Sequence, residues 1–193
     1  MDTGSIVTAA VIAAVLVLLI LAAAVGAKRK ALKTRFIVES AMIAALYSLM
    51  TILIAPISSG LIQCRISEAL CVLPYFTPAA VPGLFVGCVL ANLLTGAVPL
   101  DIIAGSLATL AAALMARWIG RRVKSPAGRL LVPAPAVLVN ALVVGWLLSD
   151  VYKVGAPYPL CALYVGLGQI VACYALGMPL LLVLERYKKK LFS

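Results

Sequence analysis

The chain contains no histidine, and only six of its 193 residues are aspartate or glutamate. The missing histidine removes the commonest transition-metal ligand and the usual general base. No G-x-x-x-x-G-K-[ST] phosphate loop is present, so ATP is not hydrolysed here by a P-loop. H-E-x-x-H and G-x-S-x-G are missing too, and with them any assembled nucleophile and base. Five cysteines, Cys64, Cys71, Cys88, Cys161 and Cys173, form no C-x-x-C pair, and most fall in apolar runs where cysteine is a small apolar residue. Charge of either sign is scarce at 11% of residues, against about a quarter in soluble domains. These absences argue against an enzyme, and no cofactor or metal is expected.

What remains is hydrocarbon. At 65% hydrophobic the chain is an integral membrane protein of the all-α class, since runs of about twenty apolar residues each cross a bilayer once. Hydropathy and turn residues predict seven helices, near residues 5–27, 34–55, 62–76, 80–96, 100–120, 130–149 and 160–185. The domain reading is an additional N-terminal transmembrane helix with a basic linker (1–33), followed by a six-helix core domain (34–193). The first helix is read as an N-out anchor rather than a signal peptide, because Asp2 precedes it and its basic residues follow it.

Net charge of +10 raises the question of nucleic acid, but the placement of the charges answers it. Basic residues cluster at 28–35, 117–129 and 186–190, between or after apolar runs and without interleaved aromatics, so no nucleic acid partner is expected. With these clusters inside, all but Arg65 and Lys153 of the 16 lysines and arginines are cytoplasmic. The core then begins and ends in the cytoplasm, and the chain's N-terminus lies outside.

The other polar residues gather towards the outer connections. Gln63, Arg65 and Glu68 open the third helix, Asn92 lies one turn below the end of the fourth, and Asp101 opens the fifth. Tyr152 and Tyr158 flank the last outer connection with Asp150, while Asn140 and Gln169 lie deeper. Ionisable groups in a span are costly, so they face a cavity or pair with one another. Arg65 and Glu68, three apart, are expected on one helical face. Glu39 and Glu185 stand beside basic residues at inner helix ends and are expected to be solvated or ion-paired there.

Two stretches, "QCRISEALCVLPYFTPAAVPGLFVGCVLANLLTG" and "PLDIIAGSLATLAAALMAR", resemble the QueT-type queuosine-precursor transporters, substrate-binding (S) components of energy-coupling factor (ECF) importers. The likeness continues through "APAVLVNALVVG" and "VGLGQIVACYALGMPLLLVLE" and covers roughly 34–187. It implies a bacterial plasma-membrane protein with a six-helix S-component fold and an outer binding cavity. It also implies a transmembrane coupling subunit and two cytoplasmic ATPases as partners, the small residues Ala41, Ala44 and Ala45 of the first core helix facing the former. The implied ligand is 7-aminomethyl-7-deazaguanine or a relative, a deazapurine with a cationic arm. Glu68 and Asp101 are the candidates for its guanine edge and its amine, in either order. Asn92, Asn140, Gln169, Gln63, Arg65, Tyr152 and Tyr158 complete the candidate substrate-binding set. Another purine or vitamin-like ligand, or a self-sufficient secondary transporter, remain as alternatives.

Overall fold

Prolines set many of the helix boundaries, because a proline in the first turn loses no hydrogen bond there. In the computed structural model, which describes residues 34–58, 65–123, 125 and 127–187, Pro99 opens one helix and Pro135 and Pro159 sit in the first turns of two others. The expected N-terminal helix, its basic linker and Gln63 lie outside the described residues. The order is α1 (Thr34–Ser58), a 3-10 helix (Ile66–Tyr75), α2 (Ala80–Leu94), α3 (Pro99–Arg122), a short 3-10 turn (Ala127–Leu131) and α4 (Ala134–Trp146), which ends in a π-helical turn (Leu147–Val151). A last rod follows, made of α5 (Tyr158–Ile170), a π segment (Val171–Leu176) and α6 (Gly177–Arg186). Among the described residues there is no strand.

The six core spans of the sequence reading are all present. Four stretches, Thr34–Ile54, Pro99–Arg122, Ala127–Val151 and Tyr158–Arg186, are long and apolar enough to cross a membrane, and two, Ile66–Tyr75 and Ala80–Leu94, are shorter. The local form differs in two places. The third helix is 3-10 over ten residues, far beyond the usual three or four, and contains Pro74. In the last rod Pro179 has no N–H for the Ala175 carbonyl, and the helix widens into π turns just before it.

Polarity is distributed inside out. Ser48, Thr51, Ser67, Glu68, Thr77, Asn92, Asp101, Ser106, Thr109, Asn140 and Gln169 are buried. Met42, Leu53, Leu114, Trp118, Leu138 and Leu163 are each more than half exposed, as lipid-facing side chains are. Lipid tails are as apolar as leucine, so cohesion between the helices rests on close packing and polar bonds. The α1–α2 seam uses both. A Cβ on Gly83 would stand 2.9 Å from the Ser40 carbonyl oxygen, and one on Gly87 2.8 Å from Tyr47 Cβ. Ser40 Oγ donates to the Ala79 carbonyl at 2.9 Å and Ser48 Oγ to that of Gly87 at 3.1 Å. Ala44 is buried in this seam, while Ala41 and Ala45 face outwards.

The remaining charges sit at helix ends. Arg35 pairs with Glu39 at 2.8 Å, whose other oxygen accepts Thr77 Oγ1 at 2.9 Å, and Arg129 pairs with Glu185. Both acidic residues are thus ion-paired, as expected. Arg117 Nη1 donates to the Pro74 carbonyl at 3.0 Å and caps the end of the 3-10 helix.

Candidate functional site

The 3-10 helix carries the central carboxylate. Arg65 precedes it with extended backbone (φ −85, ψ 103), and Glu68 N–H donates to the Arg65 carbonyl at 3.0 Å, closing the first turn. That turn drives Glu68 inwards, where it is 4% exposed. Each of its oxygens accepts one donor: Tyr47 Oη from α1 at 2.5 Å, and Asn140 Nδ2 from α4 at 3.2 Å. Thr51 Oγ1 donates to Ser67 Oγ at 2.7 Å, a second tie from α1 to this turn. From the last rod, the Cys173 thiol lies 3.6 Å from the Glu68 carbonyl oxygen and 3.5 Å from Gln169 Oε1.

Arg65 does not pair with Glu68. Among the described residues the ion pairs within 4.0 Å are Arg35–Glu39 and Arg129–Glu185, and the Arg65 guanidinium instead meets Asn92 Oδ1 at 3.4 Å. Three-apart adjacency is an α-helical rule, and Arg65 lies outside the helix on extended backbone. The side chains that hold the Glu68 carboxylate are Tyr47 and Asn140.

A polar column continues along the α2–α3 seam. Asn92 Nδ2 lies 3.6 Å and Thr109 Oγ1 3.4 Å from Cys88 Sγ. At its end Asp101 is 5% exposed, and its Oδ2 accepts Tyr152 Oη at 2.8 Å. Asp101 Oδ1 is buried and has no hydrogen-bond partner among the described residues. Arg65 lies within electrostatic reach of both Glu68 and Asp101. Beside Glu68, a cavity lined by Tyr47, Cys71, Leu84, Thr109, Ala112, Ala113 and Ala136 has about 10 Å³ of free space, room for one water at most.

Of the residues singled out from sequence, Glu68, Arg65, Asn92, Asn140, Asp101 and Gln169 thus belong to one connected interior region, and the exposed Tyr152 is tied to its rim through Asp101. Tyr158 does not join it; it is exposed, and its hydroxyl donates to the Leu142 carbonyl at 3.4 Å. Sequence reading missed Tyr47, Thr51 and Thr109. The signal for the first two was the spacing of Ser40, Tyr47, Ser48 and Thr51, which places them on one face of α1.

Residues 37–186 match the family model described as QueT transporter. The chain belongs to that family. Comparison with curated proteins and with solved structures finds no match. The QueT match runs from the first turn of α1 to the last residue of α6, so the whole polar interior lies within it. As a QueT-family transporter the chain is a multi-pass membrane protein that acts on a small molecule.

One bond of this QueT site lends itself to titration. Partial burial, and then the Asp101 carboxylate that its hydroxyl donates to, push the Tyr152 phenol up to about 12, against smaller opposing pulls from the Val98 backbone and from Arg65. A raised pKa means that this hydrogen bond contributes fully below the ordinary tyrosine range near 10, and is lost as pH climbs through about 12. The expected result is a phenolate absorbance step near pH 12 that disappears in Tyr152→Phe and moves downwards in Asp101→Asn. A Tyr152 step near pH 10 in the unaltered protein would contradict it.

Proposed function

We propose that this chain is the substrate-binding component of an ECF-type importer that takes up a queuosine precursor, a small 7-deazaguanine compound. In this reading a transmembrane coupling subunit and two cytoplasmic ATPases supply the energy, consistent with a sequence that has no phosphate loop of its own. The basic clusters hold the core's two ends in the cytoplasm, which turns the Asp101 end of the site outwards. Ala41 and Ala45, exposed and four apart on α1, offer a partner helix a close approach, whereas Ala44 is occupied by the fold's own α1–α2 seam.

The observation that carries this reading is Glu68. A guanine edge presents two adjacent N–H donors, and a carboxylate can accept both at once. Glu68 is buried next to a cavity, and among the described residues each oxygen takes one donor, which leaves acceptor capacity on both. Asn140, Asn92, Gln169, Arg65 and Asp101 are the further polar groups within reach of a bound base. The cavity has to widen to admit a bicyclic ring, so capture is coupled to a parting of the helices around Glu68.

Calorimetry of the full chain in lipid nanodiscs tests the reading. Guanine and 7-aminomethyl-7-deazaguanine are expected to bind, and adenine, which lacks the paired donors, is not. Absence of binding by any guanine-edged compound to the folded protein would overturn it. Concentrative uptake by proteoliposomes holding this chain alone would replace it with a secondary transporter.

A further inference from the structure

Asp101 and Glu68 are unlike in what they offer. Glu68 has one donor on each oxygen, whereas Asp101 has one oxygen taken by Tyr152 and the other buried without a partner among the described residues. That free oxygen lies over a glycine. A Cβ built on Gly105, one helical turn further along α3, would stand 3.1 Å from Asp101 Oδ1 and 3.4 Å from Asn92 Nδ2. The bare face of Gly105 is therefore bordered by an acid and an amide.

We infer that Asp101 and the side-chain-free face of Gly105 form a subsite for a primary ammonium on an arm of the ligand, and that Gly105 limits the size of that group. This rests on the reading of Glu68 as the acceptor of the ligand's ring edge. An ammonium is a compact point donor and suits a single free carboxylate oxygen, where a planar edge would need two. Charge agrees: Asp101 is buried in a membrane protein, where an acidic group is matched by a cationic partner. So does reach. Thr109, which lines the cavity beside Glu68, lies eight residues along α3 from Asp101, about 12 Å at helical rise. A bicyclic base with a one-carbon amine arm, hydrogen-bonded at both ends, bridges a gap of that order.

The test compares 7-aminomethyl-7-deazaguanine with 7-deazaguanine, which has the same ring and no arm, by calorimetry on the full chain in nanodiscs. In the unaltered protein the armed compound is expected to bind at least tenfold more tightly. Gly105→Ala and, independently, the near-isosteric Asp101→Asn are expected to remove that advantage, Gly105→Ala without changing affinity for the armless ring by more than about twofold. Equal affinities in the unaltered protein, or an armed preference that survives both substitutions, would overturn the arm subsite and leave the function as proposed. Parallel loss of both compounds in Gly105→Ala, with Asp101→Asn unaffected, would also overturn it, reducing Gly105 to a packing residue. Failure of both compounds to bind the unaltered protein sinks the Glu68 reading and the arm subsite together.

Discussion

Glutamine in place of Glu68 is expected to weaken binding of a guanine-edged ligand about 100-fold while leaving thermal stability unchanged or slightly raised. A hydrogen bond to a charged group contributes roughly 1.5–3 kcal/mol. The amide both removes the charge and turns an NH2 group towards one of the ligand's N–H donors. A loss of about 2.8 kcal/mol corresponds to that hundredfold. The fold has less to lose. Glutamine fills the same space, its remaining oxygen accepts from Tyr47 or Asn140, and the other partner can turn to accept instead, since a phenol rotates and an amide flips. The cost of keeping a carboxylate out of water also disappears. Calorimetry and thermal unfolding on the same samples check both halves. A lower melting temperature with unchanged affinity would make Glu68 part of the scaffold rather than of the site.

Alanine at Gly87 is expected to destabilise the protein by about 1–3 kcal/mol, whereas alanine at Gly166 stabilises it by up to about 1 kcal/mol. Both glycines lie inside helices, where glycine is the poorer former, so propensity favours alanine equally at the two positions. Packing separates them. At Gly87 the new methyl would meet Tyr47 Cβ at 2.8 Å and the Ala44 carbonyl oxygen at 2.9 Å, neither of which is the free end of a flexible side chain. At Gly166 the nearest neighbour is Ala141 Cβ at 3.5 Å, an ordinary contact. Because Tyr47 also holds Glu68, Gly87→Ala should reduce ligand affinity as well. Thermal unfolding of the two variants in matched nanodiscs decides the signs, and equal shifts at both positions would contradict the seam as described.

The helices were legible because apolar runs and prolines are direct physical signals, and the six spans from residue 34 lie where those signals put them. The interior was partly legible for a related reason. A glutamate, an aspartate, two asparagines and a glutamine within apolar runs have little choice but to turn inwards, and Glu68, Asp101, Asn92, Asn140 and Gln169 are all buried. Pairing was not legible. Whether Arg65 meets Glu68 or Asn92 depends on a backbone that is extended at one residue and 3-10 at the next, a distinction hydropathy does not carry. Tyr47 was hidden because tyrosine is so often an interfacial anchor, and only contact with the 3-10 helix gives this one a different task. The small residues of α1 were ambiguous for the same kind of reason: Ala41, Ala44 and Ala45 are chemically identical, and Gly87 across the seam sorts them.

The glycine seams also govern what happens when the protein leaves the bilayer. A detergent micelle offers the exposed leucines the same hydrocarbon as the lipid did, so solvation of the outer face changes little on extraction. The contacts that do not depend on the solvent are those at Gly83 and Gly87, and at Gly145, where a Cβ would lie 2.7 Å from the Ala162 Cα. Choice of detergent is therefore a question of what can wedge between α1 and α2 or between α4 and α5. A short, thin-tailed amphiphile that slips into such a groove threatens the fold more than a bulky one that only coats it.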